Sequence, residues 1–277
     1  MEIEEGIHQL AFGRANASGI GCPNAFLVCG RTGAVFLDTG WPEEDDHRLR
    51  MAYLSKTGMF SPSHIVMLHR HHDHAGGALR LHQDTGARLA CHELDRPAIE
   101  EELLQGRARV QDLIAEGDRL DLGGMTIEFF HAPGHTLGSL AAYIPERRAL
   151  FTTDTVLSTS STAVGDRGDM SLYMQTLHRL QLLDLARIFP GHGPVVEDAP
   201  GRLRDLIEHR RQREKELLEA IDGGARTAEE LGERLYGNLL PARRRASAQA
   251  QIRSMLRKLQ GEGRVATMGN RLLTRRS

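Results

Sequence analysis

One ten-residue stretch, Leu68-His69-Arg70-His71-His72-Asp73-His74-Ala75-Gly76-Gly77, constrains this chain more than any other. Four of the chain's 14 histidines fall between positions 69 and 74. The preceding His64-Ile65-Val66-Met67-Leu68 is short and apolar and predicts a buried strand. The following Gly76-Gly77 and Ala78-Leu79-Arg80-Leu81-His82 predict a break and then a helix. The histidines therefore sit on a loop between a strand's C-terminal end and a helix, held by rigid elements yet reachable. Imidazoles and a carboxylate crowded together in a core would each need a partner, and a metal ion satisfies them all at once. The plain alternative is a solvated histidine-rich loop with incidental metal affinity. Further histidines and an aspartate in ordered positions downstream argue against it.

His69-x-His71-x-Asp73-His74, followed by Gly76, resembles the His-x-His-x-Asp-His signature of the metallo-β-lactamase superfamily. Three further metal motifs of that family have counterparts here in order. Ala132-Pro133-Gly134-His135-Thr136 matches the third histidine, Phe151-Thr152-Thr153-Asp154 the bridging aspartate, and Pro190-Gly191-His192-Gly193 the last histidine. Asp38, in Phe36-Leu37-Asp38-Thr39-Gly40, matches an early aspartate that is not usually a ligand. Two positions depart from the pattern: Leu68 stands where threonine is common, and Thr153 where glycine is common. The resemblance covers about the first 200 residues and implies an αββα sandwich.

It also implies two metal sites. His69, His71 and His135 would hold one ion, Asp73, His74 and His192 a second, with Asp154 bridging them. The expected cofactor is two zinc ions, and the same donors suit manganese or iron. A hydroxide held between two ions about 3.5–4 Å apart would be the nucleophile. Asp73 is the candidate catalytic residue, orienting that hydroxide and taking its proton. Asp38 either accepts an N–H from a ligand histidine or caps the turn Asp38-Thr39-Gly40. His72 is expected to face solvent and His131 to serve packing; His64, His82, His92, His178 and His209 read as surface or satisfied core residues. Ser158, Ser160 and Ser161 form a polar loop after Asp154.

The 277 residues allow one large domain or one domain plus a small one. No apolar run is long enough for a transmembrane helix. The acidic start Met1-Glu2-Ile3-Glu4-Glu5 lacks the apolar core of a secretory signal. Cys22, Cys29 and Cys91 are an odd count at no metal-site spacing, so reduced thiols in a cytoplasmic protein are expected. The net charge of −2 hides an asymmetry. Residues 201–277 carry 18 Lys and Arg against 10 Asp and Glu, while residues 1–200 are acidic. Such parts attract one another, so the basic part is expected to dock rather than to bind nucleic acid.

Taken in order, Ala25-Phe26-Leu27-Val28 and Ala34-Val35-Phe36-Leu37 predict a hairpin, and Pro42 through Lys56 a helix. Strands are expected at residues 87–91, 125–130, 140–144, 149–151 and 188–190, and helices at 96–105 and 169–183. Past Pro200 the composition shifts. A long charged helix is expected from Arg202 to Ile221, then a capping box at Thr227-Ala228-Glu229-Glu230, a short helix and a third from about Ala246 to Leu259. Residues 261–273 predict a hairpin turning at Gly269-Asn270. Helices followed by a hairpin resemble a winged helix. Gly168-Asp169-Met170-x-x-Tyr173 and His209-Arg210-x-x-Arg213-Glu214 resemble the branch that includes β-lactamase-like endoribonucleases, related hydrolases and thioesterases with such a C-terminal domain. The expected division is a catalytic domain at 1–200 and a winged-helix-like domain at 201–277.

These features make the leading expectation a binuclear zinc hydrolase acting on a small ester, thioester or lactone-type substrate. Three alternatives share the sequence signals: an endoribonuclease on single-stranded RNA, a mononuclear iron enzyme like the persulfide dioxygenases, and a non-enzymatic nucleic-acid-binding regulator. The 5% aromatic content offers few base-stacking platforms, and the complete ligand set argues against a relict site. No membrane partner is expected, and the sequence does not fix the oligomeric state.

Overall fold

The computed structural model describes every residue except 12, 14–20, 59–60, 238–239, 269–270 and 276–277, and the side chains at 242 and 243. The chain divides into two compact units. The first comprises Met1–Ala132, Thr136–Ser160 and Asp184–Ala199; the second comprises Pro133–His135, Ser161–Leu183 and Pro200–Ser277. Besides everything from residue 200 onward, the second unit thus takes in a helix and a three-residue turn from earlier in the chain.

Two sheets make up the first unit. One runs in chain order: β1 (Glu2–Glu4), β2 (Ile7–Ala11), β3 (Asn24–Cys29), β4 (Ala34–Leu37), β5 (His64–Met67), β6 (Arg88–Cys91) and β7 (Asp112–Leu113). Its pairs are antiparallel as far as β4 and parallel beyond it. The parallel strands are joined through α1 (Glu44–Thr57), then through α2 (His72–Ala75) and α3 (Ala78–Thr85), then through α4 (Arg96–Ala98). The second sheet has β8 (Arg119–Asp121), β9 (Thr126–His131), β10 (Leu140–Ile144), β11 (Ala149–Thr153) and β12 (Arg187–Pro190), in the order β12-β11-β10-β9-β8. Only β11 and β12 pair in parallel there.

Period-two alternation explains the layering. Ile65 and Met67 of β5 pack with Leu54 of α1 and with Leu79 and Leu81 of α3. Val66, between them, turns to the other face and joins Leu37, Ile127, Phe129, Phe151 and Phe189 in the core between the sheets. There the rings of Phe151 and Phe189 stack at 4.8 Å, and Phe26 meets Phe151 edge-on at 5.0 Å. A wholly buried charge lies among the helices that cover the first sheet. Arg50 of α1 donates from Nη1 to the carbonyls of Thr39 (2.7 Å) and Trp41 (3.0 Å). Its guanidinium lies against Gly77, where a Cβ would fall 2.6 Å from Cζ. Burial pulls its pKa down to about 10.

The second unit holds α5 (Met170–Leu180), α7 (Ala228–Tyr236), α8 (Ala242–Gly261) and the hairpin of β13 (Val265–Met268) and β14 (Arg271–Thr274). Nearly all of α6 (Ala199–Asp222) belongs to it as well. Asp169 caps α5 by accepting from the Leu172 N–H. Thr227 caps α7 by accepting from the Glu230 N–H, while the Glu230 carboxylate reaches back to the N–H of Arg226, one residue short of a closed box. Four of its basic residues share two carboxylates: Arg253 and Arg257 hold Asp166, while Lys258 and Arg264 hold Glu214. The hairpin turn expected at Gly269-Asn270 lies outside the described residues.

The expected strands and helices form within a few residues of their anticipated limits. Four strands were not anticipated: β1 and β2, which mix apolar and polar residues over only three and five positions, and the very short β7 and β8. The expected helix over 96–105 is instead one turn of α-helix followed by a π-helical turn, Ile99–Leu103. No described helix is long and apolar enough to cross a membrane. Phe151→Ala should lower the unfolding free energy by about 3–5 kcal/mol, because it opens a cavity between the sheets. A shift of the urea midpoint at unchanged slope checks this.

Candidate metal centre

Strand ends deliver the site. Asp38 follows β4, His69 and His71 follow the parallel neighbour β5, Asp154 follows β11, and His192 lies two residues past β12. Parallel pairing brings the C-terminal ends of neighbouring strands to one edge of a sheet. His69 and His71 lie on the expected loop, but Asp73 and His74 ride on the single turn α2.

The expected ligands of the first unit converge. His69, His71 and Asp154 offer ligand atoms within 4.8 Å of one another, and so do Asp73, His74 and His192. His69 Nε2 lies 3.1 Å from His71 Nδ1, and His74 Nε2 lies 3.0 Å from His192 Nε2. Asp154 Oδ1 stands 3.3 Å from His74 Nε2 and 3.5 Å from His192 Nε2, facing both. Asp73 Oδ2 is 3.4 Å from His192 Nε2.

The far nitrogens explain the orientation. Nδ1 of His74 donates to Asp38 Oδ2 (3.2 Å), and Nδ1 of His192 donates to the Cys22 carbonyl (3.2 Å). With those protons placed outward, the two Nε2 lone pairs face each other at 3.0 Å. Two lone pairs so placed need a cation or a proton between them, so this donor set fits a bound metal. The electrostatics agree. Full burial pulls the His74 pKa down, but Asp154, Asp38 and Asp73 outweigh it and leave the pKa well above 6.5. Burial pushes Asp73 up, but His192 and His74 more than compensate and hold it at about 2.

His135 belongs to the second unit, half-buried. Its Nδ1 donates to the Ala163 carbonyl (2.8 Å), so Nε2 is the nitrogen that could bind a metal. Arg210 donates to the carbonyl of the neighbouring Thr162 and lies over the ring of Tyr173. The turn before His135 is pinned on both sides: the Asp169 N–H donates to the Gly134 carbonyl and the Thr176 hydroxyl to that of Pro133. Gly134, at φ +146, allows this approach, since a Cβ would fall 2.5 Å from Tyr173 Cα. Asp169, Tyr173 and Arg210, noticed in the sequence as a loose motif, thus shape the turn that carries His135.

Asp38 resolves between its two readings in favour of orienting a ligand: it accepts from His74, from the Leu68 N–H (2.8 Å) and from the Thr153 hydroxyl (2.7 Å). Two contributors escaped the sequence reading. Asp95, wholly buried, accepts from the Arg70 N–H between the two loop histidines (3.1 Å), from the Thr136 hydroxyl (2.7 Å) and from the Gly138 N–H (3.2 Å). Nothing in His92-Glu93-Leu94-Asp95 signals that role. The other is Thr153, noted only as a departure. Its φ of +42 is strained for a β-branched residue and costs of order 1–3 kcal/mol. Among the remaining histidines, His72 is exposed as expected, and His131 stacks on His92 at 4.0 Å. Ser158 donates weakly to the His192 carbonyl at 3.4 Å.

Residues 20–192 match the model of the metallo-beta-lactamase superfamily. The fold, the clustered ligands and this match define the class: the chain belongs to the metallo-β-lactamase superfamily and carries its metallo-hydrolase fold. A "Beta-lactamase-like protein 2 homolog" of Caenorhabditis elegans is 27% identical over 200 residues, 72% of this chain and 65% of that protein, so the match spans less than two thirds of it. An "Atrochrysone carboxyl ACP thioesterase" of Claviceps purpurea is 30% identical over 253 residues, 88% of this chain and 76% of that protein. A metallo-beta-lactamase family protein of Thermus thermophilus shares the fold at TM-score 0.80 and 23% identity, covering 99% of this chain and all of its own.

Because Asp154, Asp38 and Asp73 raise the His74 pKa despite burial, they favour a proton that a metal must displace. Affinity should therefore rise with pH up to the His74 pKa and fall about tenfold per pH unit below it. Calorimetric titrations in buffers of different ionisation enthalpy should show proton release at pH 7 as the ion held by Asp73, His74 and His192 binds.

Proposed function

We propose that this chain is a binuclear, zinc-dependent hydrolase of small thioester or ester substrates. The observation that carries the reading is the pair of ligand clusters, each with two histidines, both reached by the Asp154 carboxylate. His69, His71 and His135 would hold one ion, Asp73, His74 and His192 the other, and Asp154 would bridge. Bound metal supplies a water acidified enough to attack at neutral pH and a Lewis acid for the carbonyl oxygen. Asp73, ionised and partly facing the site, accepts a hydrogen bond from the attacking water. With a pKa of about 2 it is a weak proton acceptor, so its part is orientation. Asp38 and the Cys22 and Ala163 carbonyls hold the imidazoles in one tautomer.

The thioester class draws support from the similarity to the Claviceps purpurea thioesterase. Single-stranded RNA is a weaker candidate, because many basic residues of the second unit already face carboxylates within it. We read the α7-α8-hairpin order as a winged-helix-like domain within residues 201–277, and the free cysteines as fitting the cytoplasm.

Zinc-loaded protein should hydrolyse short acyl thioesters faster than single-stranded RNA, lactones or a β-lactam, and should carry two metal ions per chain by elemental analysis. RNA cleavage without thioester turnover, or one tightly held iron, would overturn this assignment. Asp154→Ala should lose at least one ion and nearly all hydrolysis, since it removes the anion shared by two cations.

A further inference from the structure

We propose that Thr153 is a positioning residue that fixes the tautomer and aim of His69, so that Asp38 governs two metal-binding histidines rather than one. The inference rests on the metal reading above and concerns a residue that lies inside a ligand motif but is not one of its expected ligands.

The geometry is a proton count. Thr153 is buried, and its hydroxyl has one hydrogen. Oγ1 lies 2.7 Å from Asp38 Oδ2, and the carboxylate there has no hydrogen of its own to offer, so the hydroxyl must donate. The same oxygen lies 2.9 Å from His69 Nδ1. With its hydrogen committed to Asp38, the hydroxyl can only accept there. His69 therefore carries its proton on Nδ1 and turns a bare Nε2 toward His71, 3.1 Å away. His74 also donates from Nδ1 to Asp38 Oδ2. One buried carboxylate thus orders both imidazoles, His74 directly and His69 through the threonine.

The backbone says that this arrangement is kept against a cost. Thr153 sits at φ +42, in the left-handed region, on the bulge where the register of β11 against β12 shifts between Phe151 and Thr153. Glycine would adopt that conformation freely but would bring no hydroxyl. A β-branched residue held there is explained by what its side chain does. Serine keeps the hydroxyl, and glycine keeps only the backbone, so the two substitutions separate the roles.

The experiment compares wild type, Thr153→Ser and Thr153→Gly. Zinc affinity is read by competition with a chromophoric chelator, folding by thermal melts of the metal-free proteins, and the His69 tautomer by 15N spectra of the imidazoles. Thr153→Gly should melt no lower than wild type when metal-free, yet bind zinc about 10–100-fold more weakly and lose the uniform Nδ1–H form of His69. Thr153→Ser should restore the affinity and the tautomer. Wild-type zinc affinity in Thr153→Gly, or failure of serine to restore it, would overturn the proposal while leaving the metal reading intact. A wild-type protein that binds no transition metal would instead overturn both.

Discussion

A single buried carboxylate holds the centre together. Asp38 is 2% exposed, and a charge so far from water survives only if donors surround it. It has three: a backbone N–H at the end of β5, the imidazole of His74 on α2, and the hydroxyl of Thr153 at the end of β11. These come from both sheets and from the turn that carries two ligands. Each donor would lose about 1–3 kcal/mol if left buried without its acceptor. Asp38 itself stands at φ +58, with its N–H donated to Val66, so the strand end bends to bring the carboxylate inward. Asp95 is a second buried carboxylate of this kind, tying the Arg70 N–H to the Thr136 hydroxyl and the Gly138 N–H.

The sandwich gives these carboxylates something rigid to act on. The ligand-bearing strands are packed on both faces, so their ends are set by the core rather than by the loops. The second unit stabilises its own part differently. The turn carrying His135 is held by backbone bonds to α5, by a glycine that lets a tyrosine pack close, and by a guanidinium that fixes a neighbouring carbonyl. Much of its surface charge is spent on internal ion pairs, with Asp166 and Glu214 each serving two cations.

How far the sequence could be read follows from where the information lies. The candidate metal ligands are legible because their residue types are few and their spacing is local: His69, His71, Asp73 and His74 sit within six residues. Most inner strands are legible because they are short runs of apolar residues, and β9 because its buried and polar residues alternate. The N-terminal strands β1 and β2 are not, since they mix Glu, Gln and His with a few apolar residues over very short runs. The π turn at Ile99 also escapes, because α and π turns share the same apolar spacing over so few residues. Asp95 and Thr153 are hidden for another reason. Their partners lie 25 to 115 positions away, so their meaning appears only when distant strand ends meet. For Thr153 the one clue was a departure from glycine, and its sense became clear only with the left-handed φ and the hydroxyl bonds.

The chain contains one tryptophan, and its position has an optical consequence. Trp41 lies edge-on to His72 with ring centroids 5.8 Å apart, and His72 stands between His71 and Asp73 in the chain. The carbonyl of the same tryptophan is gripped by Arg50 from beneath. An indole held in that way, with no second one to mask it, is a built-in fluorophore at the edge of the histidine loop. Changes in the charge or placement of that loop will alter its emission, so the chemistry of this centre reports itself in the native protein without a label.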